Sequence, residues 1–252
     1  MKRRFTRMFA AVLIFLLGGL PSAFAQAACQ HTSMPGYEMI WYEGFEEAGT
    51  PAGWQTLDLD GDGYNWAFMQ HDDVLWGMTC LNMQCEGDGL AISASFINET
   101  MTELTPDNWL ILPVQDIGKD YHLTFRVQAQ DDDYANDCFG VYVSADVDHP
   151  LDTSSYVQLG GDYMTPVDYE TMDIDLSAYE GERVLIAIRH YNSYDQFVMD
   201  FDCFAMWGKE GYTGSAPVGA LPRTGDDASL ALWVCLLAAA GVGMIARRRR
   251  EA

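Results

Sequence analysis

The 252-residue chain carries 37 acidic residues against 14 basic ones, a formal charge of −23 at neutral pH. That balance excludes nucleic acid and anionic membrane surfaces as partners, because phosphate binding needs positive charge; divalent cations and cationic protein surfaces remain. With 49% apolar and 13% aromatic residues there is enough hydrophobic content for one substantial core.

Lys2, Arg3, Arg4 and Arg7 precede an apolar run over residues 9–20, and Ala23-Phe24-Ala25 fits a small-x-small cleavage site. The pattern predicts a signal peptide over residues 1–25. Pro21 interrupts the run, which disfavours an N-terminal membrane anchor. Cys29 lacks the large aliphatic residue expected three positions before a lipidated cysteine. The four arginines Arg247, Arg248, Arg249 and Arg250 lie at the other end. Without these eight basic residues and Asp226, Asp227 and Glu251, the chain between the two signals keeps 6 basic and 34 acidic residues, a formal charge of −28. Much of that charge serves solubility.

Residues 37–209 read as one domain, β throughout. Residues 122–129 alternate apolar and polar side chains with period two, as a half-buried strand does, and 139–144 behave similarly. Residues 184–188 are continuously apolar, which predicts a central strand covered on both faces. Further strands are expected over 39–45, 54–59, 65–70, 91–95, 109–112, 172–176 and 198–207, separated by Gly, Asp, Asn and Pro clusters. No stretch of ten residues carries a helical face, and there is no internal repeat. About ten short strands predict an all-β, antiparallel two-sheet sandwich, with jelly-roll topology.

The sharpest local pattern is Asp58-Leu59-Asp60-Gly61-Asp62-Gly63. Carboxylates at alternate positions put oxygens on one side of a tight loop, and the glycines let the chain turn around a hard cation, as calcium requires. The segment opens like an EF-hand loop. However, its twelfth position is Met69 instead of a bidentate Glu, and no helices flank it.

Five cysteines follow the cleavage site, Cys29, Cys80, Cys85, Cys138 and Cys203; Cys235 lies in the C-terminal apolar run. Outside the cell cysteines tend to pair. The spacing of Cys80 and Cys85 suits a local bridge, which leaves Cys138 and Cys203 to pair across strands and Cys29 odd, although spacing does not set connectivity. No CxxC or close His–Cys cluster points to zinc. His71-Asp72-Asp73 has no accompanying nucleophile signature. A glycosidase carboxylate pair has no signal above chance among so many acids. Trp76, Tyr134 and Tyr194 lie in expected loops and suit a binding patch or partly buried packing equally.

Residues 210–220 turn to Gly, Ser, Ala and Pro, a short flexible linker. Leu221-Pro222-Arg223-Thr224-Gly225 follows, then an apolar segment over residues 229–246, long enough for a bilayer core, and a basic tail over 247–252. This order resembles the LPxTG sorting signal of Gram-positive surface proteins, in which a sortase cleaves between Thr and Gly. It implies cleavage between Thr224 and Gly225, covalent attachment to peptidoglycan, and a transient transmembrane helix.

The domain itself resembles the cleaved-adhesin domains of gingipain haemagglutinin regions, also grouped with choice-of-anchor modules. Glu43-Gly44-Phe45-Glu46 and the run from Gly53-Trp54 through Asp58-Leu59-Asp60-Gly61-Asp62-Gly63 to Tyr64-Asn65-Trp66 begin the likeness. Leu104-Thr105-Pro106-Asp107-Asn108-Trp109, Phe139-Gly140-Val141-Tyr142, Ile188-Arg189-His190-Tyr191-Asn192 and Met199-Asp200-Phe201-Asp202 continue it in order. The resemblance implies a noncatalytic jelly roll that binds calcium structurally, with Glu43, Asp58, Asp60 and Asp202 as ligands and Asp62 beside them. It implies a structural role for His190 near the sheet edge. Two departures stand out: Cys203 replaces a second Asp on the last strand, and Cys138 occupies a position that is often His or polar. A Cys138–Cys203 bridge would explain both.

The resulting expectation is a wall-anchored, calcium-stabilised adhesin-like module with a host or matrix protein or glycan as ligand. The alternatives are a surface enzyme or enzyme accessory, and a surface-fibre component. The second needs a pilin-type lysine, and after the signal peptide only Lys119 and Lys209 remain.

Overall fold

The computed structural model describes residues 33–79 and 87–209. Sixteen strands follow in chain order among them. These are β1 (Tyr37–Glu43), β2 (Gln55–Asp58), β3 (Ala67–Gln70), β4 (Val74–Leu75), β5 (Met78–Thr79), β6 (Gly89–Ala94), β7 (Phe96–Ile97) and β8 (Thr102–Glu103). Then come β9 (Asn108–Ile111), β10 (Gln115–Asp116), β11 (His122–Ala129), β12 (Cys138–Ser144), β13 (Val157–Met164), β14 (Glu170–Asp175), β15 (Arg183–His190) and β16 (Val198–Lys209).

They build two six-stranded antiparallel sheets, as the alternation patterns predict. The first has the order β14-β11-β16-β6-β3. β16 is long enough to serve two partners along one edge: β6 pairs with Val198 to Phe201, and β1 pairs with Phe204 to Lys209. The second sheet has the order β13-β12-β15-β9-β2, and β10 continues the line of β9 along β15.

The main core lies between the sheets. Phe125 and Val127 of β11 and Met199, Phe201, Phe204 and Met206 of β16 meet Leu110, Phe139, Val141, Ile186 and Ile188 of the second sheet. Phe125, Phe139, Phe201 and Phe204 are fully buried, with ring centroids 5.1 Å apart for Phe125–Phe204 and for Phe139–Phe201. Each such ring contributes about 2–3 kcal/mol through burial. A bulge makes the arrangement possible. Between the Thr124↔Ala205 and Arg126↔Asp202 pairs, Cys203 and Phe204 together oppose Phe125, and Cys203 takes a φ of 55°. The extra residue resets the alternation, so Phe201 and Phe204 both point inward.

Two smaller apolar clusters cover the outer faces. Met69, Leu90, Ile92, Ile97 and Val198 pack under the connections of the first sheet. Trp109, Ile111, Tyr142, Tyr156, Leu185 and Ala187 form the other, on the outside of the second sheet. β15 is therefore apolar on both faces, with Ile186 and Ile188 inside and Leu185 and Ala187 outside, as the continuous run over 184–188 predicts.

β13 was not expected from the sequence. Its exposed edge position and Gly160-Gly161 hide the alternation. The signal peptide, Cys29, Cys80, Cys85, the linker, Thr224, Gly225 and the apolar segment over 229–246 lie outside the described residues. No helix among the described residues is long and apolar enough to cross a membrane.

Candidate functional site

The acidic loop leaves the end of β2 and folds back on its own backbone. Gly61 N–H and Gly63 N–H donate to Asp58 Oδ1 and Oδ2 at 2.6 and 3.0 Å. Asp62 N–H donates to Asp60 Oδ1 at 3.0 Å, and Tyr64 N–H to Asp62 Oδ1 at 2.7 Å. Gly61 and Gly63 sit at φ of 74° and 87°, which side-chain-bearing residues avoid, so both glycines are needed for the turn. The loop is also stitched to β9: Asp107 N–H donates to Asp60 Oδ2 at 2.5 Å, and Leu59 N–H to Asp107 O at 2.9 Å.

One carboxylate oxygen from each of Asp58, Asp60 and Asp62 lies within 4.8 Å of the others. At that separation two unit charges repel by about 1 kcal/mol even at the dielectric of water. Burial, with Asp60 and Asp58 nearby, raises the Asp62 carboxyl above its ordinary range. Asp60 and Asp62 are exposed, so further oxygens from water can approach. Three convergent carboxylates with solvent access are a donor set for a hard divalent cation.

Glu43 and Asp202 do not join this group. Glu43 ends β1 opposite Phe204 in register, and its Oε1 accepts from Phe45 N–H at 2.8 Å. Burial raises its carboxyl, and Glu47 and Glu46 add to the shift. Asp202 is fully buried on β16 opposite Arg126, and its Oδ1 accepts from Cys203 N–H at 2.5 Å. Of the five expected ligands, three converge.

The cysteine pairing is a correction. Cys138 is a free, buried thiol, while Cys203 is disulfide-bonded, to a cysteine other than Cys138. The substitutions at these two positions are therefore not explained by a shared bridge. Burial pushes the Cys138 thiol up, and Asp162 and Asp137 add to it.

His190 has a structural environment, at the centre of the second sheet and not near its edge. It is fully buried on β15 between Phe139 and Asn108. Its Nδ1 lies 2.8 Å from Ser93 Oγ of the first sheet, and its Nε2 3.2 Å from Asp137 Oδ1. The trio contains the residue types of a hydrolase triad. However, Ser93, His190 and Asp137 are all at most 1% exposed, so no substrate reaches the hydroxyl. The trio ties one sheet to the other. Among the aromatic candidates, Tyr134 and Tyr194 are about half exposed, whereas Trp76 packs beside Tyr64 at 6.2 Å in the outer cluster of the first sheet.

A polar cluster that the sequence reading missed adjoins the loop. Arg189 Nε and Nη2 donate to the two oxygens of Asp107, both at 2.7 Å. Its guanidinium also lies over the rings of Trp109 and Tyr191, at 5.2 and 4.4 Å. The Asp107 bonds, the largest cause, hold Arg189 firmly protonated. The period-two count from Ile186 and Ile188 places Arg189 and Tyr191 on the opposite face, which was the available signal. Asp107 joins the two features, since its N–H serves the acidic loop and its carboxylate serves Arg189.

The family model described as Cleaved Adhesin Domain matches residues 38–206. Hemagglutinin A of Porphyromonas gingivalis is 29% identical over 185 residues, which cover 66% of this chain and 7% of that protein. Gingipain R1 of the same species is 31% identical over 172 residues, covering 64% of this chain and 9% of that one. The chain thus spans less than a tenth of the curated relatives it matches. Among solved structures, the K1 cleaved adhesin domain of Lys-gingipain from P. gingivalis W83 is 31% identical with a TM-score of 0.54, covering 66% of this chain and 95% of that domain. The K3 domain is 27% identical with a TM-score of 0.57, covering 68% and 99%.

Proposed function

The chain belongs to the Cleaved Adhesin Domain family, and we propose that it works as a noncatalytic, surface-displayed adhesin module that binds a host or matrix ligand. One observation carries this: the family match over residues 38–206 takes in nearly all of the two-sheet sandwich. The burial of the Ser93–His190–Asp137 trio also supports it, because that set of nucleophile and base residues is sealed between the sheets.

Calcium is the cation proposed for Asp58, Asp60 and Asp62. Five of their six oxygens accept one backbone N–H each, and every carboxylate oxygen has a second lone pair to offer. When bound, calcium would neutralise the clustered charge of the loop. The chain's own part is to hold the loop against β9 through the Asp60–Asp107 bond. If calcium binds the native fold, melting in millimolar calcium occurs at a higher temperature than in chelator. Equal melting temperatures would contradict the metal assignment.

Anchoring through sortase cleavage between Thr224 and Gly225 rests on residues 221–252 of this chain alone, since the relatives come from a Gram-negative organism. The adhesive reading is tested by saturable binding of the purified chain to immobilised matrix proteins and glycans. Retention no greater than that of an unrelated acidic protein would contradict it.

A further inference from the structure

The outer face of the second sheet carries a polar and aromatic patch beside the apolar cluster of Trp109 and Tyr142. Arg189, its side chain 25% exposed, lies across Trp109 and Tyr191 and is held by Asp107. The Tyr191 hydroxyl donates to Asp162 Oδ1. Gln158 Nε2 donates to the same oxygen at 2.9 Å and to the Tyr191 hydroxyl at 3.2 Å. These bonds hold the Asp162 carboxyl below its ordinary range. Gly140 lies beneath them. A Cβ there would stand 2.9 Å from the Tyr142 ring, 3.0 Å from the Gln158 amide and 3.3 Å from the Tyr191 ring. The missing side chain is what lets these groups lie close to the strand. Asp162 is exposed, and Tyr191 and Gln158 are half-buried, so the patch opens to solvent.

The geometry points to a subsite for a neutral sugar unit of a glycan at Tyr191, Arg189, Gln158 and Asp162; it rests on the binding-module reading and names the ligand class. A sugar hydroxyl is both donor and acceptor, and here a guanidinium, a carboxylate and an amide, all oriented in advance, stand around a tyrosine side chain. Groups already fixed in place lose little freedom on binding. Charge selects the neutral class. Arg189 is neutralised by Asp107, Asp162 adds a negative charge, and the chain between its two signals carries −28. Sialylated and sulfated glycans are therefore repelled. A basic peptide would be drawn by the same charge, and the parallel matrix-protein surface in the test distinguishes it.

The test applies the full chain to an array of immobilised neutral gluco-, galacto- and manno-configured oligosaccharides, with sialylated and sulfated ones alongside and matrix proteins on a parallel surface. Tyr191→Ala and Gln158→Ala are run beside the parent, each with its melting temperature. Binding to neutral glycans that falls at least tenfold in both variants, with the Gln158→Ala melting temperature within about 2 °C of the parent, is the expected result. No neutral glycan bound, binding confined to anionic glycans, or neutral binding unchanged in Gln158→Ala and Tyr191→Ala overturns the proposal. Binding to a matrix protein alone overturns the sugar subsite while leaving the adhesive reading standing. Absence of binding on both surfaces removes both.

Discussion

Asp107 is where the structure concentrates most on one side chain. Replacing it with Ala removes both charge-assisted bonds to Arg189 and the bond accepted from Trp109 Nε1, while leaving the backbone N–H that serves Asp60. Such bonds contribute about 1.5–3 kcal/mol each, and taking away one partner strands the other. Arg189 and Asp107 remain 25% and 30% exposed, so water screens the stranded guanidinium in part. A loss of about 2–3 kcal/mol follows for D107A and about half that for D107N, since the Asn oxygen still accepts one bond. For a domain of this size each kcal/mol moves the melting temperature by about 2–4 °C, giving a drop of roughly 4–12 °C for D107A. The assay is thermal unfolding by circular dichroism, with R189M and the D107A/R189M double variant completing a cycle. The double variant is expected to lose at least 1 kcal/mol less than the sum of the singles. A D107A melting temperature within 1 °C of the parent, or additive single effects, would refute the reasoning.

Three further outcomes follow from the same geometry. H190A strands the buried Asp137 carboxylate and the Ser93 hydroxyl, and a loss of about 3–5 kcal/mol is expected, read as a melting shift on the order of 10 °C; a shift under 2 °C would contradict the cross-sheet role. Glu46 has one buried oxygen without a partner among the described residues, and burial first, then Asp88, raises its carboxyl. Because the folded form has the higher pKa, the ionised group weakens the fold at neutral pH, and that penalty fades as pH falls through the raised value. E46Q should therefore melt higher than the parent at pH 7.5 and equal to it at pH 4; the same difference at both would count against this. Cys138 should resist a thiol reagent in the native protein and react once denaturant unfolds it; rapid native labelling, or a mapped Cys138–Cys203 bridge, would show otherwise.

Much of the fold was legible because strands announce themselves by what they bury. Period two marked β11 and β12, and the unbroken apolar run marked β15 as covered on both faces. β13 escaped because an exposed edge strand with two adjacent glycines buries too little to leave a pattern. The acidic loop was legible because its carboxylates are near neighbours in sequence. Glu43 and Asp202 were added by resemblance, and their convergence depends on strand register, which local sequence does not contain. The same limit hid the Arg189 cluster, in which Asp107, Arg189, Gln158 and Asp162 come from β15, β13 and the approach to β9. It also hid the cysteine pairing, since spacing along the chain says little about distance across a bulged sheet.

The most direct test of the central claim, an adhesin module displayed at the surface, compares adhesion of three bacterial strains to the same host matrix. One displays the full chain, one carries it without residues 221–225, and one lacks it. Saturable adhesion in the first strain alone, competed by soluble chain, is predicted. Equal adhesion of all three strains would contradict the account.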